Sequence, residues 1–117
     1  LTFDRYLKYE ELTTTLQDLA AAHPDLMRLE SIGQSHEGRE IWCATITRFS
    51  SGQCRDKPAL WIDGNIHSSE LSASAACLHL IGRLLREAGE SQVSHILDTR
   101  AFYVVPRVNP DGAELSL

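Results

Sequence analysis

No run in this chain approaches the ~18 consecutive apolar residues that a membrane span requires, which argues against a transmembrane protein. Cysteine is scarce: Cys43, Cys54 and Cys77 form no CxxC pair, and an odd number leaves no complete disulfide framework. Basic side chains are outnumbered, 11 against 16 acidic ones for a net charge of −5, and they are scattered. A nucleic-acid partner, whose affinity rests on clustered Lys and Arg, is not expected. No signal peptide is in view, but the first residue is Leu1 rather than a methionine. Location therefore stays unassigned, with a lean towards the cytoplasm. Cys43 on a strand and Cys77 on a helix read as packed thiols, which fits a reducing compartment.

What remains is an ordinary globular balance, 43% hydrophobic and 23% charged over 117 residues. That is one domain or part of one. Apolar residues at 12, 16, 19 and 20 give residues 7–22 a helical spacing, closed by His23-Pro24. Residues 27–32 and 41–46 read as two strands around a glycine-bearing turn, an antiparallel pair. Residues 49–57 form a loop. Residues 59–66 are nearly all apolar, the pattern of a central strand covered on both faces, with Trp61 in the core. A helix is expected over residues 70–88, burying Ala73, Cys77, Ile81, Leu84, Leu85 and Ala88 and stopped by Gly89. A short helical turn at 92–97 precedes a strand at 100–108, so strand, helix and strand imply a parallel crossover. Asn109-Pro-Asp-Gly112 reads as a turn built for positive φ at Gly112. Four strands leave edges that nothing after Gly112 covers, so the segment resembles the first part of a larger domain. Self-association is expected of it alone.

The chemistry concentrates where the apolar strand ends. His67 and Glu70 stand three positions apart at a strand-to-helix junction, and imidazole nitrogen and carboxylate oxygen are ligand types of catalytic zinc. The crevice at the carboxyl ends of strands is also where open α/β sheets bind ligands. A bland reading accounts for the same residues: Ser68 or Ser69 caps the helix and Glu70 complements its dipole. Other ligands are hard to find. His79 lies roughly 13 Å up the helix from Glu70 at 1.5 Å per residue, too far to share a metal. His95 is expected on the solvent side of a short helix, His23 at a helix end, and His36 in a turn. Asp63 reads either as a carboxylate orienting His67 or as a satisfied polar residue at the strand end. The chain reaches Leu117 without an obvious third ligand.

Four ordered motifs then acquire a common meaning. Gly33-x-Ser-x-Glu-Gly-Arg39-x-Ile41, Asp63-Gly-Asn-Ile-His-Ser-Ser-Glu70, Leu97-Asp-Thr-Arg100 and Pro106-x-Val-Asn-Pro-Asp-Gly112 resemble the zinc carboxypeptidase family, the carboxypeptidase A-like metallopeptidases. The resemblance runs in order over nearly the whole chain. It implies a three-layer α/β/α fold on a mixed, mostly parallel sheet, with residues 1–117 forming the N-terminal portion of a single catalytic domain. It also implies Zn2+ as cofactor and His67 and Glu70 as the first two metal ligands. In the family a later histidine completes the site, and a glutamate near the C-terminus acts as general base. Arginines and an asparagine between them hold the substrate. None has a counterpart here, so no catalytic residue is expected within these residues. The general base is expected beyond Leu117, and the segment alone is expected to be inactive. Digestive members usually carry arginine just before the ligand glutamate; here Ser69 stands there, and Asp-Gly-Asn-Ile-His looks more like a microbial branch.

The implied activity is hydrolysis of a C-terminal peptide bond by a zinc-activated water. The implied partners are a peptide or amino-acid conjugate substrate and the remainder of the catalytic domain. Two other functions fit the same opening: a zinc amidase or deacylase acting on peptidoglycan peptides or N-acyl amino acids, and a non-catalytic binding domain.

Overall fold

The computed structural model describes all 117 residues as one mixed α/β unit. Its elements run α1 (Tyr9–Ala22), β1 (Met27–Gln34), β2 (Glu40–Ile46), β3 (Ala59–Asp63), α2 (Leu71–Arg86), α3 (Ser91–Thr99), β4 (Ala101–Val105) and α4 (Pro110–Ser116). Short 3-10 turns at Phe49–Ser51 and Cys54–Asp56 shape the loop before β3. No helix is long and apolar enough to cross a membrane.

The sheet has the order β1-β2-β4-β3. β1 and β2 form the expected antiparallel pair, with Leu29 opposite Ala44. β2 pairs antiparallel with β4, and β3 joins β4 in parallel, Trp61 opposite Tyr103. The crossover between the two parallel strands carries α2 and α3. Leu12 and Leu16 of α1, Cys77, Leu78, Ile81, Leu84 and Leu85 of α2, Leu97 of α3, and Met27, Ala44, Ile46 and Val104 of the sheet make one core cluster. The 3.6-residue spacing read from α1 and α2 is the spacing of this buried stripe.

Several elements depart from the sequence expectation. The strand expected over 59–66 as a covered central strand ends at Asp63 and lies at the sheet edge, with Leu60 and Trp61 each 54% exposed. Its composition suits a central strand, but within these residues only β4 lies beside it. Trp61 is accordingly not a core residue, whereas Trp42 is half-buried and donates to the Thr13 hydroxyl (2.9 Å). The strand expected over 100–108 stops at Val105, because Pro106 has no N–H and the next two residues turn to the β3 loop. α2 ends at Arg86, capped by the Glu87 N–H on the Arg83 carbonyl, three residues before Gly89.

The expected Asn109–Gly112 turn is the start of helix α4. Asn109 is its N-cap, accepting from the Gly112 N–H at 3.0 Å, and Pro110 occupies the first helical position, where its missing N–H is harmless. At the other end of α4, the Leu117 N–H donates to the Ala113 carbonyl (3.0 Å). Gly112 has no positive φ. Its glycine is required by packing instead: a Cβ there would lie 2.6 Å from Ser68 Cβ and 2.5 Å from Asn109 Nδ2.

Candidate metal centre

The stretch that carries His67 begins where β3 gives out. The Gly64 N–H continues the ladder onto the Val105 carbonyl (3.0 Å). A Cβ on Gly64 would stand 3.0 Å from the Ala73 carbonyl oxygen, so glycine lets the strand end pass close beneath α2. Asn65 then takes φ 61°, the left-handed conformation that asparagine tolerates through local side-chain hydrogen bonds. Its Nδ2 donates to the His67 carbonyl (3.0 Å) and the Ser68 carbonyl (3.4 Å). The Glu70 N–H also donates to the His67 carbonyl, at 3.1 Å, closing a turn that brings both side chains to the start of α2.

Two residues after β4 fasten this loop from below. Arg107, 4% exposed, donates from Nε to Asn65 Oδ1 (3.2 Å) and from Nη1 to the Leu7 carbonyl (2.9 Å). Asn109 donates its N–H to the Asn65 carbonyl (3.1 Å) and its Nδ2 to the Ile66 carbonyl (3.2 Å). α4 is held in turn by Asp111, which accepts from Ser35 Oγ (2.7 Å), Arg39 Nη1 (2.8 Å) and the Glu37 N–H (3.0 Å). Burial pushes the Asp111 carboxyl up, but the Ser35, Arg39 and Glu37 donors outweigh it and hold the group below the usual carboxylate range. The Gly33–Arg39 and Asn109–Gly112 motifs, read separately in the sequence, thus form one clasp under the His67 loop.

His67 and Glu70 are both exposed, and every hydrogen bond within the loop is made by backbone or by Asn65 and Asn109. The imidazole and the carboxylate are left free to take another partner. Neither Ser68 nor Ser69 caps α2; Glu70 is itself the N-cap residue and its side chain makes no cap bond. An acidic group there complements the partial positive charge of the helix end. This donor pair suits zinc in chemistry, one nitrogen and one oxygen ligand from a fixed turn. In number it is two of the three protein ligands that a catalytic zinc takes, and no third His, Cys, Asp or Glu joins it between Leu1 and Leu117.

The remaining histidines lie elsewhere: His23 is the C-cap of α1, His79 packs edge-on against Phe3 at 5.5 Å, and His36 and His95 are exposed. Asp63 accepts the Trp61 indole N–H (2.8 Å), so it is the satisfied strand-end residue rather than an orienter of His67. Cys43 and Cys77 are buried free thiols as expected, both pushed up by burial, Cys43 further by Glu30 and Cys77 by Asp63. Sequence reasoning did not single out Arg107 or Asn65. The available signal was an arginine following a strand proline, unusual for a position that folds inward.

Comparison with known proteins gives the same address. The zinc carboxypeptidase family pattern matches residues 12–117. The chain is 33% identical over 107 residues to a carboxypeptidase B of Astacus astacus, covering 92% of this chain and 33% of that protein. It is 30% identical over 115 residues to a zinc carboxypeptidase of Saccharothrix mutabilis subsp. capreolus, covering 96% of this chain and 26% of that protein. The crystal structure of carboxypeptidase A from Helicoverpa armigera superposes with a TM-score of 0.84 at 29% identity, over 97% of this chain and 27% of that one. The chain thus spans between a quarter and a third of the length of these relatives. Its fold, its motifs and these similarities together place the chain in the zinc carboxypeptidase family.

Proposed function

We propose that His67 and Glu70 are two zinc ligands of a metallocarboxypeptidase that hydrolyses the C-terminal peptide bond of peptides. Residues 1–117 form the N-terminal portion of its single catalytic domain. The third ligand and the general base then belong to residues beyond Leu117. The observation that carries this reading is the free imidazole–carboxylate pair on a clasped loop at the carboxyl end of β3. Zinc held there would supply a Lewis acid that activates water and polarises the scissile carbonyl.

The chain's own contribution is placement. Asn65, Asn109 and the Glu70 N–H fix the turn that carries both ligand residues, three positions apart. No proton-transfer group stands with them, so residues 1–117 by themselves forgo the ~10²–10⁴-fold contribution of general acid–base catalysis. The open edge of β3, with Leu60 and Trp61 exposed, is where the remainder of the domain would pair; in the segment alone a second copy takes that place.

The test is zinc content together with release of a C-terminal amino acid from a short peptide, in the full-length protein that carries residues 1–117 and in its His67→Ala and Glu70→Gln variants. Chelator-sensitive hydrolysis that both substitutions abolish supports the proposal. Hydrolysis that survives both removes it, and release of an acyl group or a peptidoglycan peptide in place of a C-terminal residue assigns the pair to an amidase or deacylase.

A further inference from the structure

We propose that Asn65, anchored by the buried guanidinium of Arg107, is the positioning residue for the His67–Glu70 pair. The inference rests on the zinc-ligand reading above and adds to it a device that sets metal affinity from beneath the loop.

Three observations converge. Asn65 is 2% exposed and divides its side chain between this loop and Arg107. Its amide nitrogen reaches the carbonyls of His67 and Ser68, and its amide oxygen receives Arg107. Arg107 is buried without an ion-pair partner, while the chain's ion pairs form at Arg5, Arg39, Arg48 and Arg83. Burial lowers its pKa, with Glu114 acting the other way, so the charge sits where the fold disfavours it. What Arg107 gains for that burial is a fixed bridge between the Leu7 carbonyl and Asn65 Oδ1. Finally, Asn65 holds a left-handed backbone at φ 61°, in the residue that turns the chain from β3 towards His67.

The bridge has a direction. By occupying Oδ1, Arg107 determines which way the amide faces, and so points Nδ2 at the His67 carbonyl. That carbonyl also receives the Glu70 N–H, so one oxygen sets the spacing of both ligand residues. Hydrogen-bond partners beyond a metal's own ligands typically change affinity by about 10–100-fold when removed.

Asn65→Gly separates this role from a structural one, because glycine adopts positive φ readily and keeps the turn while losing all the side-chain bonds. Zinc affinity of the full-length protein that carries residues 1–117 is measured by competition with a chromogenic chelator, and metal-free melting is measured alongside, with His67→Ala as control. The expected result is a protein that still melts in one cooperative transition, at a lower temperature because Arg107 loses its acceptor, with zinc affinity lower by at least roughly tenfold. Arg107→Met in the Asn65→Gly background is expected to lower affinity by less than about twofold more, since Arg107 acts through Asn65. Unchanged affinity in Asn65→Gly, with His67→Ala abolishing binding, overturns the positioning role alone. Unchanged affinity in His67→Ala overturns the zinc-ligand reading beneath it.

Discussion

Replacing Gly112 by alanine sets a gain in helix propensity against a loss in packing. Gly112 lies inside α4, and alanine in a helix interior is favoured over glycine by about 0.8–1 kcal/mol. Against that, the new Cβ would meet Ser68 Cβ at 2.6 Å and Asn109 Nδ2 at 2.5 Å, well inside the ~3.5–4.0 Å at which carbon atoms attract. Overpacking of this kind costs about 1–3 kcal/mol. Displacing the Asn109 side chain also gives up the N-cap, about 1 kcal/mol. The balance is about 1–3 kcal/mol of destabilisation. For a domain of 117 residues, that lowers the melting temperature by roughly 3–15 °C. Gly89→Ala is the control: a Cβ there meets nothing within 4 Å, so its melting should move by no more than about 1 kcal/mol equivalent. Differential scanning calorimetry of both variants decides the matter. A Gly112→Ala protein as stable as its parent, or more so, would show that propensity wins and that α4 does not press on the Ser68 turn.

Further outcomes follow from the same packing and charge. Ile81→Ala, at a fully buried α2 position, should lower unfolding free energy by about 2–5 kcal/mol in a urea titration, and a loss below about 1 kcal/mol would mean the core closes around the gap. Asp111 and Glu11 titrate below their unfolded values, Glu11 at about 2 through its hydrogen bonds from Arg5 and the Lys8 N–H. Their stabilisation is therefore complete above about pH 5 and is lost as acid protonates them in the folded state. Melting followed from about pH 6 to about pH 2.5 should fall more steeply in the parent than in Asp111→Asn; equal slopes would refute the clasp. Under native conditions a thiol reagent should label Cys54 first, with Cys43 and Cys77 reacting only on unfolding, and equal rates at all three would contradict their burial.

The sequence made the helices and the β1–β2 pair legible because their signals are local. α1 and α2 show their buried stripe in the spacing of leucines, and His23-Pro24 marks an end that needs no tertiary contact. Strand β3 was legible in type but not in place: an apolar run reports how much cover a strand is suited to, not which neighbours these 117 residues provide. Asn109-Pro-Asp-Gly112 misled because the residues of a tight turn are also those of a capped helix start. What distinguishes them is the contact of Gly112 with Ser68, 44 positions away in sequence and invisible to any window. His67 and Glu70 were visible as a pair, being three positions apart in one turn. Their support was not, since Asn65, Arg107 and Asp111 acquire meaning only when β4 and α4 fold under the loop.

The central claim is that His67 and Glu70 hold zinc. Anomalous diffraction at the zinc absorption edge, from crystals of the full-length protein that carries residues 1–117 grown with zinc, tests it most directly. The account predicts a single strong peak about 2.0–2.2 Å from a His67 imidazole nitrogen and a Glu70 carboxylate oxygen. A zinc peak on other side chains, or none at this pair, would contradict it.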